Sequence, residues 1–349
     1  MSKFGWRGAL GLAVSAICLY FAFRNFQWAE AIDRAKEANY GLLFLATTAA
    51  TCMFPLRARR WRTILDPVAR HLPFGPLWRS TAIGVMVTNV VPARAGELAR
   101  GYALTREIPS ISFSMAIASI VVDRVFDAIV VLLLLAVAMI SPAFPSGVIM
   151  KGRVPLTAIT YAEPLSHVAT AAALVPVVML ALLYSLVFFP GRLIRIFELL
   201  ARRVSPAMEA RGSEMLRRFS EGLSVLRNPG HFIAVFLWTL LHWLVQPLAF
   251  WLGFRAFGID VPWSATLLVQ GLIVIGVSVP STPGFVGVFE GFAVLALGFY
   301  GISATAAATW ALVFHIASYI PITLIGAYYF ARAGLTMGEI GSAAREPSQ

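Results

Sequence analysis

The sequence predicts an all-α polytopic membrane protein, with about six spanning helices and two broken hairpins arranged as an inverted repeat. Three observations carry that expectation. Of 349 residues, 59% are hydrophobic and only 13% charged, for a mean hydropathy of +0.78, whereas a soluble domain carries about 25% charged residues. The apolar residues fall in long blocks near the ~20 residues that cross a ~30 Å hydrocarbon core. Two further blocks are interrupted by Pro and Gly, as in re-entrant or discontinuous helices whose freed backbone groups line a cavity.

The blocks read in order as follows. Residues 1–39 form a first helix and an outer loop. The basic start (Lys3, Arg7) and apolar run imitate a signal peptide, but the run ends in Tyr20-Phe21-Ala22-Phe23-Arg24 with no small-residue cleavage site, so a retained signal anchor is expected. Residues 40–140 make a first unit: a crossing at 40–56, a hairpin near 80–105 broken at Val91-Pro92, and a crossing at 113–140. Residues 141–231 hold a linking helix (168–189) and a basic connector. Residues 232–331 repeat the first unit: a crossing at 232–254, a hairpin near 263–300 broken at Val279-Pro280, and a crossing at 305–331 that Pro321 can kink. Residues 332–349 are a tail.

The two units match in spacing. Pro92 follows residue 40 by 52 positions and Pro280 follows residue 232 by 48; each Val-Pro is trailed by a glycine and a glutamate (Gly96 and Glu97; Gly284 and Glu290). Loop charge orients them oppositely. The 57–79 connector has six arginines against Asp66, and the 190–231 connector eight arginines against four glutamates. Both are therefore expected on the cytoplasmic side, with both termini, in a bacterial inner membrane. The 24–39, 141–167 and 255–262 segments fall outside. In the basic connector, Met215, Leu216, Phe219, Leu223 and Leu226 have helical spacing, which fits a solvated linker or an interfacial helix.

Composition also excludes several function classes. The net charge of +11 sits between apolar blocks and obeys the positive-inside rule, so no nucleic-acid partner is expected. Cys18 and Cys52 lie in apolar segments, and no C-x-x-C or H-E-x-x-H spacing points to a metal. No cofactor is expected, and without a Walker A sequence ATP hydrolysis does not drive the protein.

The informative residues are charges inside the membrane. Asp123, Arg124 and Asp127 lie well inside the 113–140 segment, where each costs roughly 2.5–3.5 kcal/mol on insertion scales. Arg124 can pair with Asp127 one turn away, which leaves one carboxylate needing a partner from Arg94 or Arg100. Such a set is either a network that pins helices together or the wall of a polar cavity. Glu290 stands alone among apolar neighbours, as a protonated carboxyl bonded to broken backbone or as a proton, cation or amine site. His242 and His315 read as hydrogen-bonded packing residues, with a proton relay as the alternative.

The stretch Asn89-Val90-Val91-Pro92-Ala93-Arg94-Ala95-Gly96-Glu97-Leu98-Ala99-Arg100, followed by Asp123-Arg124-Val125-Phe126-Asp127, resembles the flippase-like membrane domain of lysylphosphatidylglycerol synthases. Pro280 to Glu290 resembles that family's second signature, and the likeness runs from about 40 to 331. It implies a helical bundle with re-entrant hairpins that moves aminoacylated phospholipid between leaflets; an archaeal branch is associated with dolichol-linked sugar transfer. Because this sequence ends within about twenty residues of its last helix, no aminoacyl-transferase domain and no aminoacylation are expected.

The resulting expectation is a lipid translocase for an anionic or phosphate-bearing lipid, a transporter rather than an enzyme, with no catalytic residue. Its substrate-binding residues would be Asn89, Arg94, Glu97, Arg100, Asp123, Arg124, Asp127 and Glu290. Arginine suits phosphate because its guanidinium binds bidentately; the carboxylates suit a cationic headgroup or a proton. Its partner is a membrane phospholipid or a polyprenyl-linked lipid, and a homo-oligomer is compatible with the sequence. Two alternatives belong to other classes: a glycosyltransferase on polyprenyl-phosphate-linked sugar, using Glu97 or Asp123 as base, and a structural or regulatory membrane subunit.

Overall fold

The computed structural model describes residues 5–24, 26–91, 95–145, 149–153, 160–202, 205, 209–210, 212–214, 216–217, 227–279 and 281–343. Helices dominate: α1 (Gly5–Phe23), α2 (Trp28–Glu37), α3 (Tyr40–Thr51), α4 (Met53–Leu65), α5 (Phe74–Val90), α6 (Ala95–Glu107) and α7 (Phe113–Ile140). After a short antiparallel hairpin of β1 (Ile149–Arg153) and β2 (Thr160–Pro164) come α8 (Leu165–Phe188), α9 (Pro190–Arg202), α10 (Pro229–Ala256), α11 (Trp263–Ser278), α12 (Val288–Gly298), α13 (Ala304–Arg332) and α14 (Met337–Ala343).

Among the described residues, three helical stretches are long and apolar enough to cross a membrane: Tyr40–Leu65, Pro229–Ala256 and Ala304–Arg332. Counting the bent pairs α1–α2 (83°) and α8–α9 (116°) as single spans raises the number to five. α7 has the length, at 28 residues, but carries Asp123, Arg124 and Asp127. Helix starts follow local chemistry. Asn39, Ser112, Asn228 and Ser303 each accept a backbone N–H from the first turn of α3, α7, α10 and α13, satisfying donors that no preceding turn can reach. Pro229 follows Asn228 at a position where a missing N–H costs nothing.

The two units pack reciprocally. α3 and α4 run along α10; α5 of the first hairpin lies against α13, and α11 of the second lies against α7. Within the units, α6 packs on α5 and α7 as α12 packs on α11 and α13. The α5–α13 contact is thus the counterpart, in the order of the two units, of the α11–α7 contact. Phe250, Phe254, Trp310 and Phe314 fill the second unit's core, and Gly253 lets Trp310 approach, since a Cβ there would sit 2.6 Å from its indole nitrogen. Outward faces carry exposed Phe44, Ile233, Leu237 and Leu324; in a membrane-spanning bundle such apolar belts meet lipid.

Three sequence expectations need correction. The 24–39 loop contains helix α2. The expected break between a crossing at 40–56 and a solvated connector is not there: helix continues through the arginine-rich stretch to Leu65. α5 begins at Phe74, six residues earlier than the apolar run suggests. The stripe through Met215, Phe219, Leu223 and Leu226, like Pro92 and Pro280, lies outside the described residues.

Candidate functional site

The first hairpin brings its charges onto α7. Arg100 donates from Nη1 to Asp123 Oδ2 at 2.9 Å, and its guanidinium stacks 3.9 Å from the Trp61 ring centroid. Arg124 reaches both ways: its Nε lies 2.8 Å from Glu97 Oε1 and its Nη1 3.1 Å from Asp127 Oδ2. Glu97, Arg100, Asp123, Arg124 and Asp127 are therefore brought together. Arg94 lies outside the described residues.

The residue that sequence reasoning missed is Arg60. Its side chain is 0% exposed. It donates from Nη1 to Asp127 Oδ1 at 2.5 Å, while Nη2 forms an ion pair with Asp123 Oδ1 at 2.6 Å, outside hydrogen-bond alignment. The Trp243 indole N–H donates to the same Asp127 oxygen at 2.6 Å. Arg60 lies in the 57–79 stretch, whose arginine density is that of a cytoplasmic connector. No local pattern marks it: Phe54, Ala58, Trp61 and Leu65 recur at i, i+4, i+7 and i+11, all fully buried, but Arg60 lies about 130° round the helix from that stripe, on a flank it shares with buried Ile64, which packs with Phe126 and Ile129 of α7.

The result is a network in which three arginines, Arg60, Arg100 and Arg124, pair with three carboxylates, Glu97, Asp123 and Asp127. Pairing is what permits burial, because an uncompensated ion in low dielectric costs several kcal/mol. The network has a floor and a rim. Arg60, Arg100, Asp123 and Asp127 are nearly inaccessible, whereas the Arg124 and Glu97 side chains are each 35% exposed. Only at the rim can a ligand exchange partners with the network without unpacking it.

Asn89 and Glu290 belong to a second cluster at the other break. Gly287 takes φ +88° and Gly284 φ +68°, left-handed conformations that glycine adopts without a Cβ clash. The Gly287 N–H donates to Glu290 Oε2 at 2.7 Å, so the carboxylate caps α12. Its other oxygen shares a 2.7 Å hydrogen bond with His315 Nδ1, and His315 lies edge-on to Tyr319, whose hydroxyl donates to the Asn89 carbonyl. Asn89 also donates to Thr323 Oγ1 at 3.0 Å. His315 is thus a partner of Glu290 rather than a lone packing residue. Among the described residues no hydrogen bond or ion pair joins this cluster to the arginine network, although α5 does pack against the Pro283–Phe285 turn. Ser15 of α1 closes the turn, accepting from the Thr282 N–H at 3.1 Å.

Glu290→Ala is expected to lower the melting temperature clearly more than Glu290→Gln. Alanine orphans the Gly287 donor and His315, at about 1–3 kcal/mol per buried unsatisfied group, while the amide oxygen can still cap. Equal melting of both variants and the wild type would show that the contact carries no stability.

Among the described residues no group of three or more His, Cys, Asp or Glu side chains could hold a metal ion. Against known proteins, the family model described as "Lysylphosphatidylglycerol synthase TM region" matches residues 8–326. The chain is 26% identical over 286 residues to a UPF0104 membrane protein of Methanothermobacter thermautotrophicus, covering 76% of each chain. It is 25% identical over 300 residues to the glycosyltransferase AglD of Haloferax volcanii; that match covers 80% of this chain but only 47% of the Haloferax protein.

Proposed function

We propose a function from one premise: the chain belongs to the family of lysylphosphatidylglycerol synthase transmembrane regions. Within it, we read the protein as a carrier that binds a lipid with a phosphate-bearing headgroup and moves it between leaflets without ATP. The observation that supports this reading most is the half-exposed Arg124–Glu97 rim on a buried, ion-paired floor. A purely structural network gains nothing by leaving its outermost pair accessible, since ionisable groups inside a membrane are expensive and are retained mainly for function.

The chemistry of the rim fits an ion exchange. A phosphate entering beside Arg124 replaces the Glu97 carboxylate on the guanidinium, and the released Glu97 accepts a headgroup amine or a proton. Local charge stays balanced through the exchange. Asp127 keeps its bonds to Arg60 and Trp243, so the floor does not have to move. In this reading both termini are cytoplasmic, in a bacterial inner membrane, and the two hairpins enter from opposite faces.

The test is exchange of headgroup-labelled lipid in proteoliposomes, with melting temperature followed in parallel. Arg124→Gln is expected to slow exchange about tenfold or more, since one charge-assisted contact is worth roughly 1.5–3 kcal/mol, while melting falls less than when the fully buried Arg60 is replaced. Arg124→Lys restores part of the rate, because lysine keeps the charge and loses the fork. Wild-type exchange by Arg124→Gln rules this reading out.

A second reading has its own support in the similarity to the Haloferax glycosyltransferase. On that reading the protein transfers sugar from or to a polyprenyl phosphate, with Glu97 or Asp123 as base. Covalent glycolipid product in the same proteoliposomes, without exchange of unmodified lipid, identifies it.

A further inference from the structure

A second basic site lies away from the arginine network. Where the C-terminal end of α4 meets the turn at 66–71 and the start of α10, the surface opens into a cleft of about 510 Å³. Arg59, Arg62 and Arg70 line it with His71 and His231, and Asp66 is its one acidic residue. Some other surface arginines have carboxylate partners: Arg34 with Glu30, Arg79 with Glu107, Arg255 with Asp260. Among the described residues no carboxylate lies within ion-pair distance of Arg59, Arg62 or Arg70.

These arginines are also held in place. Arg59 and Arg62 are one turn apart on α4 and share a face. The Arg59 guanidinium rests over the Trp238 ring at 5.5 Å, and Arg62 Nε is buried with no hydrogen-bond partner. His71, next to Arg70, adopts φ +62°, a conformation non-glycine residues rarely take. The positive end of the α10 dipole points toward the same space, its first turn opening at Pro229, Gly230 and His231.

We infer that this cleft binds the phosphate group of an anionic amphiphile. Three unpaired guanidiniums match a phosphate's acceptor oxygens and its charge of one to two. The amphiphile is argued from the neighbouring surface: Ile233, Leu237 and Leu241 are 55%, 55% and 45% exposed and, spaced four apart, form one apolar strip along α10 that starts within a turn of His231. A headgroup in the cleft leaves its chains free to lie along that strip. Only the choice of a lipid tail leans on the proposed lipid-carrier function; the anion site stands on the cleft alone.

The experiment is equilibrium binding to the purified full-length protein in neutral phosphatidylcholine nanodiscs. Two probes are used: inorganic pyrophosphate, and phosphatidylglycerol doped into the disc. Wild-type protein is expected to bind phosphatidylglycerol, with pyrophosphate displacing it. The double substitution Arg62→Gln with Arg70→Gln should weaken binding of both probes about tenfold or more, as removal of charged hydrogen-bond donors implies. Asp66→Asn, which removes the cleft's negative charge and no packing, should tighten it; that variant keeps the test decisive if the double substitution melts early. Arg255→Gln, at a surface arginine outside both sites, should leave binding unchanged, and lipid exchange measured separately on the wild type distinguishes failure here from failure of the carrier reading. Pyrophosphate binding without lipid binding overturns the amphiphile and leaves a soluble phosphate compound as the ligand. Unchanged affinity for both probes in the double variant and in Asp66→Asn overturns the site altogether.

Discussion

Replacing Arg60 by methionine is expected to be among the most damaging single substitutions in this protein. The guanidinium is the only described group that bonds both Asp123 and Asp127 besides Arg124, which meets Asp123 only at 4.0 Å. Without it, the buried Asp123 and Asp127 keep only Arg100 and, from the rim, Arg124. Removing one partner of a buried ion pair typically costs about 3–5 kcal/mol, against a total stability on the order of 5–15 kcal/mol. The melting temperature should fall sharply, and lipid exchange should disappear with it. The second half of the prediction separates charge from volume. Arg60→Met combined with Asp127→Asn restores electrical balance, and an apolar side chain replaces the buried ion at little cost, so the double variant should recover a large part of the lost stability. If the single variant melts like the wild type, the network contributes nothing to folding. If the double variant is no better than the single, the loss is one of packing rather than charge.

Arg60 also marks where the sequence stops being legible. Segment class, the two interrupted hairpins and the need of α7 for an outside arginine could all be read directly, because length, Pro/Gly breaks and unpaired charge are local properties. The Arg100–Asp123 and Arg124–Asp127 contacts match that arithmetic. Arg60 escaped because a rule built on loop composition treats every arginine near a span as solvated, and nothing local separates Arg60 from its neighbour Arg59. The stripe of Phe54, Ala58, Trp61 and Leu65 does not help, since residues 59 and 60 both lie about 130° from its centre, on opposite flanks; only the packing of α4 against α7 and α10 buries one of them. The Glu290–His315 bond was illegible for another reason. The two residues are 25 positions apart on different helices, and their meeting depends on how the Gly284–Gly287 turn aims α12. Asn89, grouped with the arginines by sequence proximity, turns instead to Thr323 of α13, because α5 packs on that helix.

The other large effect should come from a residue with no side chain. Gly96→Ala is expected to disable the first hairpin. Gly84 of α5 and Gly96 of α6 are where the two backbones touch: a Cβ on Gly96 would collide with the Gly84 carbonyl and the Thr88 hydroxyl, and a Cβ on Gly84 would come within 2.6 Å of Arg100 Cβ and 2.8 Å of the Gly96 carbonyl. Thr88 cannot swing aside freely, because its hydroxyl donates to the Gly84 carbonyl at 2.9 Å. Small residues at such crossings let membrane helices pack backbone to backbone, and an added methyl must push them apart at about 1–3 kcal/mol. The displacement reaches the site, since Glu97 follows Gly96 directly and Arg100 lies one turn beyond. Moving α6 outward separates Arg100 from Asp123 and Glu97 from Arg124, so exchange should be lost along with stability. Gly101→Ala is the control. It lies on the same helix and is also buried, yet its nearest contact is the flexible Cδ1 of Ile117 at 3.1 Å, so it should fold and work close to normally. Melting and exchange measured on both variants decide the matter: if Gly96→Ala behaves like Gly101→Ala, close backbone contact is not what positions the arginine network.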